Sequence, residues 1–333
     1  MTLTNTDKQN ENQAGPEPAD EAAQAAAGSE RFGLLERSVV AFATAALLIG
    51  AVALVPDPSR RGLLEDEFEQ LRSTWNACAD VVFLGDSRVL CGVSPQAMRE
   101  RMGDVRIYNF AFAGTAFSES IFDQASRVLD PRGKRPTLVL GMTPLTLAKG
   151  HGAPDPLAEA RHKVQTAGLI ERFADRMARP FQPRSLRTFR ASLGFKSKRS
   201  SYKDFHEDGW MESDSQPNRP MREVVRFGEW FKVRIPPYDE SLAMLLPRVR
   251  QWRKEGIRVY AFRPPTWDGM IQLENKEGKF DEARVRQAFV EAGGVWLDVK
   301  QAAYPTYDGS HLRYDGARDF SRDLADLILK AEQ

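Results

Sequence analysis

The chain has 333 residues, is 42% hydrophobic, and sets 47 Lys and Arg against 46 Asp and Glu for a formal net charge of +1. Near-neutrality, with no run of basic residues interleaved with aromatics, excludes nucleic acid as the expected partner. The length allows one substantial core with an appendage, and Cys78 and Cys91 are as compatible with one disulfide as with two separate buried thiols.

Residues 1–37 are rich in Ala, Gln, Glu, Asp, Asn and Pro and nearly lack large apolar side chains. Such a stretch cannot offset the entropy of ordering, so a disordered acidic tail is expected there. From Val39 to Val55 no residue is charged, and Arg37 and Arg60-Arg61 bracket the run. At about 1.5 Å per residue the run just crosses a hydrocarbon core of ~30 Å, so residues 38–55 read as a single membrane helix. A stretch apolar on every face beside a polar tail argues against a buried helix of a soluble domain. Ala51-Val52-Ala53 resembles a signal-peptide cleavage site, but the long acidic segment ahead of it is unlike a short basic leader, which favours an uncleaved anchor. The nearly balanced Arg flanks leave its orientation undetermined by charge. Over 56–78, Leu63, Leu64, Phe68, Leu71 and Trp75 recur at helical spacing among Glu65, Asp66, Glu67 and Glu69, the pattern of an amphipathic linker helix.

Strand-like runs follow at Val81 to Leu84, Val105 to Phe110, Thr137 to Leu140, Ile257 to Phe262 and Val295 to Val299. Helix-like stretches lie at Ser94 to Arg101, Ser118 to Leu129, Asp239 to Lys254, Asp281 to Ala292 and Asp315 to Lys330. Short apolar strands alternating with helices are the pattern of a mainly parallel sheet covered on both sides, so the fold expected over 79–333 is a three-layer α/β/α sandwich. Residues 149–237 break the rhythm with Pro, Arg, Lys and scattered aromatics, apart from a helical hint near Ala158 to Met177. An insertion of that size is expected to sit as a cap over the carboxyl edge of the sheet.

Two short motifs carry the chemistry. Val81 to Leu84 ends in Gly85-Asp86-Ser87, which delivers Ser87 to the edge of the sheet where ligands bind in open α/β folds. Far downstream, Asp308-Gly309-Ser310-His311 precedes the last helix. A serine hydroxyl becomes a nucleophile when an imidazole takes its proton and a carboxylate orients that imidazole, and these three residues can supply all of it. Gly-Asp-Ser alone is common in turns; the matching Asp-x-x-His is what raises it to a candidate site. Asp86 is expected only to hydrogen-bond the turn. His151, His162 and His206 lie in the insertion at spacings that fit no zinc pattern, so neither a metal nor a cofactor is expected. Trp210, Trp230 and Trp267 suit sugar stacking or, more commonly, packing. Arg263, at the end of a strand beside Pro264-Pro265, suits either an anionic group of a substrate or an ion pair.

The two motifs resemble the first and last blocks of the SGNH (GDSL-type) hydrolase superfamily, over roughly Asp80 to the end of the chain. The resemblance implies that Ser87 is the nucleophile, His311 the general base and then acid, and Asp308 the orienting group. It also implies an oxyanion hole built from the Ser87 N–H, a glycine N–H after the second strand, and an Asn side chain after the third. Tyr108-Asn109-Phe110-Ala111-Phe112-Ala113-Gly114-Thr115 is similar to the second block and makes Gly114 the glycine donor. The third block departs from the pattern: Gly141-Met142-Thr143-Pro144 has no Asn, so Thr143, Asn109 or a group from the cap would have to replace it.

Gly85-Asp86-Ser87-Arg88 followed by Gly92-Val93-Ser94-Pro95, together with Asp208-Gly209-Trp210, the anchor and the insertion, is similar to the membrane-tethered members that acylate bacterial cell-surface polymers. These include relatives of the alginate acetylation proteins and of the partner in teichoic-acid D-alanylation. That subset implies a single-pass protein of the cytoplasmic membrane with an extracytoplasmic catalytic domain, an acyl ester or carbohydrate polymer substrate, and a multi-pass O-acyltransferase as partner. Arg88, Arg263 and Trp210 are then the candidate substrate contacts. The alternatives are an inactive relative that binds polymer or scaffolds the acyltransferase, and a lysophospholipase-like enzyme, against which the polar and basic cap counts.

Overall fold

The computed structural model describes residues 37–45, 47, 68, 79–148, 157 and 200–333. The expected tail, the rest of the membrane and linker helices, Cys78 and the helical hint near Ala158 to Met177 lie outside the described residues. The chain divides into two units, Met1–Pro56 with Asp175–Arg184, and Asp57–Ala174 with Ser185–Gln333. In the first, residues 37–45 are helical and Val39, Val40, Phe42 and Leu47 are exposed. Among the described residues no helix is long and apolar enough to cross a membrane.

The second unit is a mixed α/β body on a five-stranded parallel sheet. Its strands β1 (Val81–Leu84), β2 (Ile107–Asn109), β3 (Thr137–Gly141), β6 (Arg258–Phe262) and β7 (Val295–Trp296) run in the order β2-β1-β3-β6-β7. All four pairings are parallel, with Val81 opposite both Ile107 and Thr137 and Thr137 opposite Arg258. β1, β3 and the interior of β6 are buried throughout, which is why they read as unbroken apolar runs.

Successive side chains divide between two cores. Val82, Leu84, Leu138, Leu140, Val259 and Ala261 pack with α3 (Glu119–Val128), α5 (Tyr238–Lys254) and α7 (Glu282–Glu291). Val81, Phe83, Val139, Tyr260 and Phe262 pack with α1 (Ser87–Gly92), α2 (Pro95–Met102) and α8 (Tyr314–Ala331). Helices α2, α3 and α7 start where the side chains of Ser94, Ser118 and Asp281 accept backbone N–H groups of their first turns. The five helices expected between Ser94 and Lys330 outside the insertion appear within one residue of their expected bounds, whereas β7 stops at Trp296 rather than Val299.

Within 200–237 the chain forms regular structure. β4 (Ser200–Phe205) and β5 (Met211–Gln216) form an antiparallel hairpin, and α4 (Met221–Val233) follows it. Phe205, Trp210 and Met211 of the hairpin join the core shared with α8. Its turn meets the outer edge of β2 at one point, where the Asn109 N–H donates to the Asp208 carbonyl at 2.9 Å. Gly209 permits the approach: its φ is +86°, and a Cβ there would lie 2.1 Å from the Asn109 carbonyl oxygen. A further helix, α6 (Asp268–Lys276), follows β6.

Asp80 opens β1 and binds Arg106 through both carboxylate oxygens, at 3.0 and 2.8 Å. Chiefly through that side-chain hydrogen bond, its carboxyl is held below the ordinary value of 3.8. A depressed folded-state pKa means that Asp80's contribution is complete above the unfolded value and is lost as pH falls through the lower folded value. Arg106 is half exposed, so the expected contribution is only about 1 kcal/mol. Asp80→Asn should therefore lower the unfolding free energy at pH 7 by that amount, with the gap to wild type closing in acid-side denaturation curves below pH 3.8.

Candidate active site

β1 delivers Gly85-Asp86-Ser87 at the carboxyl edge of the sheet. Gly85 has no Cβ because one would sit 2.3 Å from the Val89 side chain, so the turn folds tightly onto the start of α1. Asp86 caps that helix by accepting the Arg88 N–H at 2.9 Å, while its other oxygen accepts the Thr143 hydroxyl at 2.7 Å. Ser87, the first helical residue, is left partly exposed.

The second motif arrives from the loop before α8. His311 Nε2 lies 2.8 Å from Ser87 Oγ, and His311 Nδ1 lies 2.8 Å from Asp308 Oδ2. Asp308 is buried, and its Oδ1 accepts the backbone N–H groups of Ser310 and His311 at 3.0 and 2.8 Å. Burial alone would raise the Asp308 carboxyl; the His311 hydrogen bond and charge and the two backbone donors outweigh it and hold the group below 3.8. An ionised carboxylate only accepts, so Nδ1 carries the imidazole proton and Nε2 is ready to accept from the Ser87 hydroxyl. The Tyr307 ring stacks on His311 with centroids 5.7 Å apart.

The loop after β2 lies beside this relay, because the Phe112 N–H donates to the Gly85 carbonyl at 3.0 Å. Gly114 in that loop has φ +68°, is exposed, and has nothing within 4 Å of where a Cβ would stand. Neither its N–H nor that of Ser87 finds a hydrogen-bond partner among the described residues. Both N–H groups are therefore free to donate.

The other two oxyanion candidates are corrected by their bonding. The Asn109 amide is buried and donates to the Val89 and Val93 carbonyls at 2.9 and 2.8 Å, while its oxygen accepts the Ala111 N–H. Thr143 gives its hydroxyl to Asp86 and its N–H to Thr146 Oγ1 at 2.9 Å. Both residues hold the nucleophile's surroundings and offer no donor outward.

The expected substrate contacts are also corrected. Arg88 and Arg263 are 4% and 2% exposed and converge on the fully buried Glu274. Trp210 is fully buried, donating Nε1–H to the Cys91 carbonyl at 2.9 Å and stacking on His206. Trp267 is the exposed one of this group's tryptophans at 37%, and its N–H reaches the Gly309 carbonyl at 3.4 Å. The Cys91 thiol is free and buried, and desolvation pushes it to about 12, so it is no nucleophile. His151 and His162 lie outside the described residues, His206 pairs with Glu212 at 3.2 Å, and no cluster able to hold a metal ion occurs among the described residues. The sequence reading missed Glu274, whose signal is its place four residues after the buried Met270 on one face of α6.

No protein-family model and no curated protein matches the chain. Among solved structures it is similar to one described as a platelet activating factor from Streptococcus pneumonia, at 12% identity and TM-score 0.38, covering 88% of this chain and 99% of that one. A likeness that low carries no argument, and the site must be read from its own geometry.

Gly309 fixes the loop that holds the relay. Its φ is +88°, a Cβ would meet the Pro220 carbonyl oxygen at 1.8 Å, and its own carbonyl accepts the Thr266 hydroxyl at 2.7 Å. Gly309→Ala adds a left-handed-backbone cost of about 1–2 kcal/mol to that collision. Thermal unfolding should show a loss of at least about 2 kcal/mol.

Proposed function

We propose that the protein is a serine acyl esterase or O-acyltransferase of the SGNH type, acting on acyl esters of an extracytoplasmic carbohydrate polymer from an anchor in the cytoplasmic membrane. The observation that carries the reading is the continuous hydrogen-bonded relay from Ser87 through His311 to Asp308. The helices packed on both faces of the parallel sheet accord with a three-layer α/β/α sandwich of that superfamily.

In the reaction, Ser87 Oγ attacks the ester carbonyl carbon while its proton passes to His311 Nε2. The carbonyl oxygen becomes an oxyanion received by the Ser87 and Gly114 N–H groups. Collapse breaks the bond to the alcohol, which leaves with the proton from His311. A water or a sugar hydroxyl then attacks the acyl-enzyme, loses its proton to His311, and the Ser87 hydroxyl is restored. Asp308 stays ionised throughout and steadies the imidazolium. Water as acceptor gives hydrolysis, and a sugar hydroxyl gives transfer.

The surroundings favour a large polar substrate. Among the described residues Ser87 and His311 are partly exposed and Gly114 is exposed, which supports an ester carried on a large substrate. The apolar side chains exposed on the helix at 37–45 support membrane contact. One observation favours a second reading, a polymer-binding or scaffolding partner of a multi-pass O-acyltransferase: Thr143 gives its hydroxyl to Asp86, leaving two oxyanion donors instead of three. Loss of one donor costs about 10²–10³ in rate, which slows the chemistry without removing it.

Wild-type protein should be labelled covalently by a fluorophosphonate probe, and Ser87→Ala should abolish the labelling. Asp308→Asn should retain folding but cut turnover of a short acyl ester by about 10³–10⁴, because the wrong imidazole tautomer then faces Ser87. Labelling that persists in Ser87→Ala would refute the nucleophile assignment; a wild-type protein inert to both probe and ester favours the scaffold.

A further inference from the structure

Ser87 and His311 are 224 residues apart in the chain, yet their functional atoms meet at 2.8 Å. The residues immediately inside that pair are also bonded: the Arg88 Nε–H donates to Ser310 Oγ at 2.9 Å, wholly within the core. The residue after the nucleophile thus grips the residue before the imidazole.

The grip is itself anchored. Arg88 Nη2 binds Glu274 Oε1, and Glu274 Oε2 accepts Arg263 Nη2 at 2.8 Å. Arg263 Nη1 is held in turn by Asn275 at 2.9 Å and Glu282 at 3.0 Å. The Phe227 ring lies 5.7 Å from the Arg88 guanidinium carbon. The guanidinium meets Ser310 and Glu274 from two separate nitrogens, Nε and Nη2, a fixed spacing that the compact ammonium of a lysine does not reproduce. The other ties of the catalytic loop run elsewhere, from Glu223 N–H to the Asp308 carbonyl and from Thr266 to the Gly309 carbonyl.

We propose that Arg88, braced by Glu274, is a positioning residue that sets the distance between the Ser87 hydroxyl and the His311 imidazole through Ser310. This inference rests on the assignment of Ser87 and His311 under the proposed function. It explains why two arginines that resemble substrate ligands in sequence are withdrawn from the surface. Their charges also offset three buried carboxylates, Asp86, Asp308 and Glu274, whose pairing leaves none isolated.

Ser310→Ala in the full-length protein is the cleanest test, since it keeps the N–H bound to Asp308 and removes only the acceptor of Arg88. The expected result is a kcat for a short acyl ester lowered about tenfold, the size of one hydrogen bond to a charged group, with KM close to wild type and a lowered thermal midpoint, because the Arg88 Nε–H is left buried without its acceptor. Arg88→Lys should lower kcat as well, and the double variant Arg88→Lys/Ser310→Ala should be no slower than Arg88→Lys alone. The low-field proton resonance of the His311 Nδ1–H should move or broaden in Ser310→Ala. Wild-type kcat and an unmoved resonance in folded Ser310→Ala, or additive losses in the double variant, would overturn the proposal. If wild type is inert to the fluorophosphonate probe while the resonance still responds to Ser310→Ala, the serine chemistry falls and the positioning role stands.

Discussion

A carboxylate buried to 4% exposure persists only where other donors replace water, and Asp308 obtains them from its own loop. Two successive N–H groups, of Ser310 and His311, converge on one oxygen, and the imidazole meets the other. For both N–H groups to point back at the carboxylate, the chain must turn sharply at Gly309, whose left-handed backbone and missing Cβ also admit the Pro220 carbonyl. The first residues of α4 are thereby drawn against the site. One buried charge accounts for the turn, the glycine and the docking of the segment that follows the hairpin.

The nucleophile's turn solves the same problem with different donors. Asp86 is buried like Asp308 and takes the Arg88 N–H and the Thr143 hydroxyl. Thr143 is in turn locked to Thr146, whose N–H donates to the Thr143 hydroxyl at 3.0 Å. A threonine at the end of β3 therefore serves the backbone beneath Ser87. Under the proposed function, the absence of an asparagine after β3 is a change in how that turn is braced, with oxyanion stabilisation falling to the two backbone donors.

Much of this was legible in the sequence, for reasons that can be traced to particular segments. β1 and β3 lie between two helical layers, so their sequences are uninterrupted apolar runs; α5, α7 and α8 each bury one stripe and show helical spacing. The relay was legible because an Asp three residues before a His can reach both the ring and the intervening N–H groups. The hairpin was not, since Ser-Ser-Tyr-Lys-Asp-Phe and Met-Glu-Ser-Asp-Ser-Gln carry little apolar alternation and are held by Trp210 and by the contact of Gly209 with β2. Arg88 was read as a substrate contact, Arg263 as either a contact or an ion pair and Trp210 as a contact or, more commonly, packing; residue type does not reveal burial, and burial decides for the ion pairs and the packing. Their partners, Glu274 and the Cys91 carbonyl, lie on elements that only the tertiary fold brings near.

The contact at the edge of β2 bears on how the chain comes to be folded. A parallel sheet leaves the peptide groups of its outermost strand without mates, and here the missing acceptor is the Asp208 carbonyl, which is synthesised long after Asn109. Until the hairpin has emerged, the Asn109 N–H lacks that acceptor. One N–H of that edge is thus satisfied by a contact that no segment preceding the hairpin supplies.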